Sequence, residues 1–169
     1  MISSLLIAKI ESKIFQIRGK KVMLDRDIAF LYGVKPIALR QQVKRNRERF
    51  PEDFMFHLTS EEAKILVSQN VIPSMKVLGG YLPYAFTQEG VAMLSSILHS
   101  RQAVLVNIQI MRVFVNLRRM ALTYVGLKRK IDEIEKKYDE QFAVVFHAIK
   151  QLLDPPPEKK KRIIGFQSH

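Results

Sequence analysis

With 169 residues, no cysteine and nearly half its residues apolar, the chain can bury one compact core and carry an appendage, but it cannot form disulfides, thiolate metal sites or a cysteine nucleophile. The apolar region Gln102 to Met111 is uncharged over ten residues, about half of the ~20 that a membrane span needs, and the start MISSLLIAKIESK lacks a secretory cleavage pattern. These features predict a cytoplasmic protein with no membrane partner, and a net charge of +12 points to anionic partners.

The charge is unevenly spread. Residues 1–50 hold twelve Lys/Arg against four acids, residues 51–100 two against five, and residues 101–169 fourteen against seven, giving +8, −3 and +7. Two cationic segments therefore flank a near-neutral packing unit. This suits a phosphate backbone, although a merely soluble surface would also carry charge.

In chain order, residues 2–12 predict an opening helix or an ordered arm. Ile14 to Leu24 predicts a β-hairpin turning at Arg18-Gly19-Lys20, where glycine supplies the positive φ of a tight turn. Asp25 then serves as a candidate N-cap for a helix with apolar spacing Ile28, Leu31, Tyr32, closed by Gly33. Pro36 fits the first turn of a second helix, Pro36 to Asn46, with Asn46 as its C-terminal cap. Phe54–Leu58 and Tyr81–Phe86 predict two strands able to pair as an antiparallel ribbon, with Pro83 suited to an edge strand. Between them, Thr59 and Glu62 form a capping box for a helix reaching about Gln69.

Thr87 caps the next helix, QEGVAMLSSILHS, and Ser100 starts another. In that last helix one apolar stripe holds Val104, Ile108, Met111 and Val115, and a second holds Val106, Ile110, Val113 and Leu117. Two apolar faces imply two packing partners: this domain and a second subunit, so a homodimer is expected. Val104–Ile110 also alternates with period two, which keeps a strand open. From Leu127 to Leu152 the chain reads in heptads. Ile131, Tyr138, Val145 and Leu152 lie on one seam position and Leu127, Ile134, Gln141 and Ala148 on the other. This is a coiled-coil pattern weakened by Gln141 and Ala148, or else a helix that packs back on its own domain. Pro155-Pro156-Pro157 stops the helix, and a basic tail follows. The expected domains are residues 10–120, a C-terminal helix over 121–154, and the proline stop and tail over 155–169.

Val22 to Phe56 is the stretch with chemistry to interpret. A helix, a sharp glycine turn and a second helix are the parts of a helix-turn-helix unit. On the second helix Leu39, Val43, Asn46 and Phe50 cluster on one side. The opposite side presents Ile37, Gln41, Lys44 and Arg45, flanked by Arg40 and Arg47. Residues 35–49 hold six Lys/Arg and one Glu, a more one-signed mixture than an ordinary solvated helix carries. Gln41 can pair with adenine, an arginine of this face with guanine, and Ile37 can touch a thymine methyl. Lys35, Arg40, Lys44, Arg47 and Arg49 are candidate phosphate contacts. The hairpin tip adds Arg18, Lys20 and Lys21, and the strand ribbon would form a wing, with simple sheet packing the alternative for Phe54, Phe56 and Phe86.

The segments MLDRDIAFLYGV, LRQQVKRNRERFPEDFMFHLT, YLPYAFTQEGVAMLSSIL and VNIQIMRVFVNLR resemble the KilA-N type of DNA-binding domain, and more closely its branch named for a phage open reading frame. The resemblance covers roughly residues 10–120. It implies an α+β, winged-helix-like domain with small antiparallel hairpins, followed here by the long helical segment. It also implies double-stranded DNA binding in phage or prophage regulation. The pair Gln41-Gln42 departs from the family's pattern, which leaves base preference open. The competing reading is an antirepressor-like module that binds a regulatory protein through the C-terminal helices. An enzyme is not expected: the four histidines are scattered, no phosphate-cradling glycine loop or nucleophile elbow is present, and Asp53, His57 and Glu61 make a poor metal set. No cofactor and no metal are expected.

Overall fold

The structure is a computed structural model and describes residues 4–153. The proline stop and basic tail of residues 155–169 lie outside the described residues. The chain divides into two units, Met1–Met120 and Ala121–His169.

The first unit is built on four short strands: β1 (Ile14–Ile17), β2 (Lys20–Leu24), β3 (Met55–His57) and β4 (Tyr84–Phe86). They form one antiparallel sheet in the order β1-β2-β4-β3. The expected hairpin is present, with Ile17 opposite Lys20. Its two turn residues, Arg18 (φ 52°) and Gly19 (φ 74°), are both left-handed, the geometry whose twist matches a two-residue hairpin. The expected ribbon is present too, pairing Met55 with Phe86 and His57 with Tyr84. The two pairs merge because Met23 and Leu24 of β2 also pair with Phe86 and Ala85 of β4. Thus β4 is an interior strand, contrary to the edge position inferred from Pro83. That proline sits just before the strand, where its carbonyl accepts the Leu58 N–H at 3.0 Å.

Both faces of the sheet are buried, which explains its nearly unbroken apolar strands. Successive residues alternate between two cores. Met23, Met55 and Phe86 enter one, while Val22, Leu24, Phe56 and Ala85 enter the other. The first core is closed by α1 (Ser4–Glu11), α2 (Asp25–Tyr32), α3 (Pro36–Arg45), α5 (Gln88–Leu94) and the start of α6 (Arg101–Leu153), through Ile10, Ile28, Leu39, Val91 and Ile110 among others. The second is closed by α4 (Ser60–Ser68) and the loop after it, through Ala63, Leu66, Ile72 and Leu78. The fold is α+β, as expected.

The local signals hold with few exceptions. Thr59 and Glu62 form the full capping box of α4. The expected Asp25 cap is corrected: the cap position is Leu24, and Asp25 is the first helical residue, fully buried. The helix after Thr87 ends at Leu94, short of His99. The Ser95 and Ser96 hydroxyls donate to the Ala92 and Met93 carbonyls at 2.6 and 2.7 Å, competing with helical backbone bonds there. Val104–Ile110 is helical throughout, so the strand alternative falls. Of the two stripes on this helix, Val106, Ile110 and Val113 are buried, whereas Val104, Ile108 and Val115 are exposed.

One close approach locks the strands to α5. Thr87 donates its N–H to the Phe54 carbonyl at 3.0 Å, and its hydroxyl lies 3.1 and 3.2 Å from the Asp53 and Phe54 carbonyls while facing the Gly90 N–H. At Gly90 a Cβ would fall 2.1 Å from the Phe54 carbonyl oxygen, so only glycine fits without moving backbone. Gly90→Ala is therefore expected to destabilise the domain by about 1–3 kcal/mol, the usual cost of forcing extra volume into a packed site. Urea unfolding measures it, and an unchanged midpoint would refute the lock.

Candidate nucleic-acid interface

Three local features set α3. Gly33 ends α2 with φ 70°, its N–H reaching the Phe30 carbonyl and the Val34 N–H reaching the Ala29 carbonyl. Pro36 occupies the first turn of α3, where no N–H is needed. Asn46 closes the helix, its Nδ2 donating to the Gln42 carbonyl at 2.9 Å. Inward, α3 buries Leu39 and Val43, with Phe50 just beyond it. Phe50 meets Phe86 edge-on, with centroids 5.9 Å apart. On the α2 side, the buried Tyr32 hydroxyl donates to Asn107 Oδ1 on α6 at 2.9 Å. Burial pushes the Tyr32 phenol well above its ordinary pKa, so it remains a neutral donor.

The outward side of α3 is the one read from the sequence. Ile37 is 63% exposed, a large apolar side chain held in solvent among cations. Gln41, Lys44 and Arg45 are exposed beside it, as are Lys35, Arg47 and Arg49. Lys35, Gln41, Lys44 and Arg45 make no side-chain hydrogen bond or ion pair among the described residues. Arg49 donates to Ser96 Oγ at 3.1 Å, and Arg47 makes a long contact, 3.9 Å, to Met55 Sδ. Lys20 and Lys21 are exposed at the start of β2, likewise without an ion pair among the described residues.

Two of the expected contacts are engaged within the fold. Arg40 donates through Nε to Asp25 Oδ2 at 2.6 Å, and the Asp25 side chain is completely buried. Arg18 grips Glu62 with Nε at 2.7 Å and Nη2 at 2.9 Å. It also donates to the His57 carbonyl at 3.2 Å and lies 4.4 Å from the Phe56 ring centroid. This bidentate pair holds the Glu62 carboxyl at about 2. Neither pairing is visible in the local pattern, because the partners lie 15 and 44 residues away.

The structure adds residues that the sequence reading missed. An open groove beside the N-terminal end of α3 is lined by Lys9, Lys13, Arg26, Phe30, Lys35 and Ile37, with Asp25, Asp27 and Arg40 also on its wall. Lys13 Nζ pairs with Asp27 at 3.3 Å, and Lys9 Nζ sits 4.3 Å over the Phe30 ring. Phe30 is 60% exposed, and the buried Nη1 of Arg26 has no hydrogen-bond partner among the described residues. Burial raises the Asp27 carboxyl above its ordinary value, against the pull of Lys13. The signal available in the sequence was Phe30 itself, an aromatic on the opposite side of α2 from Ile28, Leu31 and Tyr32.

Among the described residues no three His, Asp or Glu side chains gather where a metal ion could be held. His57 stacks on Tyr84 at 3.9 Å, and burial followed by nearby Arg47 lowers its pKa. No helix among the described residues is long and apolar enough to cross a membrane.

Residues 12–97, just over half of the chain, match the ORF6N domain, a phage-associated domain family. No curated protein and no solved structure matches the chain significantly.

Removing Arg40 would leave Asp25 buried and unpaired. Arg40→Ala is expected to lower stability by about 3–5 kcal/mol, whereas Lys44→Ala and Arg45→Ala should stay within about 0.5 kcal/mol. Denaturant midpoints of the three variants check this, and equal midpoints would contradict the division. The Arg18–Glu62 pair has its own signature. The folded carboxyl titrates at about 2 instead of its usual 4.5, so its contribution is present above pH 4.5 and is lost as pH falls toward 2. Glu62→Gln, which keeps a capping side chain, should be less stable than the parent at pH 6, with the gap closing near pH 2. A gap independent of pH would exclude the ion pair as its source.

Proposed function

The chain belongs to the ORF6N domain family, and on that premise we propose that it is a phage- or prophage-type regulator that binds double-stranded DNA. In this reading it acts in the cytoplasm without catalysis or cofactor, and α2 and α3 form a helix-turn-helix unit with α3 in the major groove. The observation that carries the reading is the outward face of α3, where Ile37 and Gln41 share a stripe with Lys44 and Arg45, unpaired among the described residues. On a base-reading helix a thymine methyl would cover Ile37 while Gln41 and Arg45 address base edges. The resemblance to KilA-N type DNA-binding domains supports the same reading.

In this reading the basic residues divide their labour. Lys35, Lys44, Arg47 and Arg49 contact phosphates, and Lys20 and Lys21 can extend that track. Arg40 positions α3 by holding Asp25, and Arg18 braces β1 to α4 through Glu62; neither needs to touch DNA. A second reading, a module that binds a regulatory protein, draws on the exposed Val104, Ile108 and Val115 of α6. It would be favoured by retention of a protein partner together with no DNA shift at low salt.

Selection from a random duplex pool, followed by anisotropy titrations across salt, tests the first reading. Lys44→Ala should weaken binding on all sequences and flatten the salt slope by about 0.9 per lost phosphate contact. Gln41→Ala should leave the slope alone and relax preference at one base pair, by about 1–3 kcal/mol. Parent-like affinity in a Lys44→Ala/Arg45→Ala double variant would exclude α3 as the reading helix.

A further inference from the structure

Within the second unit, residues 121–153 continue α6 and carry an apolar stripe with no cover among the described residues. In the unbroken heptad frame its seam passes through Gln141 and Ala148, two poor core positions. One four-residue step removes that weakness. Leu127, Ile131, Ile134, Tyr138, Phe142, Val145 and Ile149 follow one another at spacings of four, three, four, four, three and four. The doubled four at Tyr138–Phe142 is a stutter, which locally unwinds a coiled coil without ending it. Every position on this line is apolar, and all ten Lys, Arg, Asp and Glu residues between 127 and 149 lie off it. The same side chains are 48–68% exposed along their whole length. A continuous apolar strip of that length does not stay in water in a stable protein.

We infer that this strip is a homodimer interface, in which a second copy of the chain packs in parallel and in register along the stuttered seam. The occupant is a second copy because the strip is self-complementary, including its charges. Ahead of the stutter, Lys130 and Glu135 hold the two flanking positions that meet across a parallel pair, Lys130 of one copy against Glu135 of the other, twice by symmetry. An antiparallel pair over the same strip would instead set Lys130 beside Ala148, with no such match of charge. Past the stutter the seam is flanked by Gln141, Phe146 and Ala148, so no charge opposes association there. This assembly stands independently of the DNA-binding reading, because its test involves no DNA.

Sedimentation equilibrium should give twice the 19.6 kDa chain mass. Phe142→Asp should raise the dimer dissociation constant about tenfold or more, since it places a charge in a buried seam, while Gln141→Asp should stay near the parent value. The reverse ranking would restore the unbroken heptad and overturn the stutter. The chain has no cysteine, so Ile134→Cys supplies a single thiol per copy. A parallel, in-register seam brings the two thiols together and cross-links under mild oxidation. A dimer that fails to cross-link is antiparallel or shifted, and overturns the proposal, as does a monomer or a higher oligomer. Phe142 is 68% exposed in the single chain, so the Asp variant leaves a soluble monomer whose helicity can be confirmed by circular dichroism.

Discussion

A buried carboxylate fixes the orientation of the whole basic segment. Asp25 has no solvent exposure, so its charge must be met inside the protein, and Arg40 meets it at 2.6 Å. A buried charge of this kind is tolerated only with a well-placed partner. The contact joins the first residue of α2 to the middle of α3, and that sets the rotation of α3 about its own axis. With Arg40 turned toward Asp25, Leu39 and Val43 face the core, and Gln41, Lys44 and Arg45 face water. Tyr32 and Asn107 fix the other end of α2 to α6 by a buried neutral hydrogen bond. A helix held at these points can present side chains to a partner without loss of precision, which a flexible cationic segment cannot do.

The sheet serves the same end by different means. Its strands are too short to be stable as isolated hairpins. They gain stability because each contributes alternate residues to two cores, and because β4 sits between β2 and β3. The approach of Gly90 to the Phe54 carbonyl lets α5 cross close over the strand ends, and the Thr87 hydroxyl satisfies backbone that this packing would otherwise leave unpaired. FTQEGVAML is therefore a packing signature, distinct from the exposed α3 residues that would distinguish one partner from another.

What could be read from the sequence was what is settled within a few residues. The Thr59–Glu62 box, the left-handed Gly33, Pro36 at the start of α3 and the Asn46 cap depend on neighbours at most five positions away, and all appear where the pattern put them. The two faces of α3 were legible for the same reason, since helical periodicity alone assigns them. Two kinds of feature escaped. Strand order did, because the β2–β4 pairing joins Leu24 to Ala85, and nothing local in either strand names its partner. Side-chain allegiance did as well: Asp25 satisfies the composition of an N-cap, and only tertiary context shows its carboxylate turned toward Arg40. Arg18 likewise reads as a cation on a hairpin tip until α4 is placed beside it.

These allegiances change what the basic composition means. A net charge of +12 counts Arg18 and Arg40 equally with Lys44 and Arg45, yet the first two already hold carboxylates whose charge offsets their pull on a phosphate. The second two have no internal partner among the described residues, so an incoming anion costs them only hydration. Attraction at long range depends on the sum of all these charges, whereas register on a duplex depends on the few that are both rigidly placed and unpaired. On α3 those cations share a surface with an exposed isoleucine and a glutamine, groups that add nothing to long-range attraction. If the partner is a duplex, as proposed, these two groups would serve short-range contact with base edges, which the net charge cannot supply.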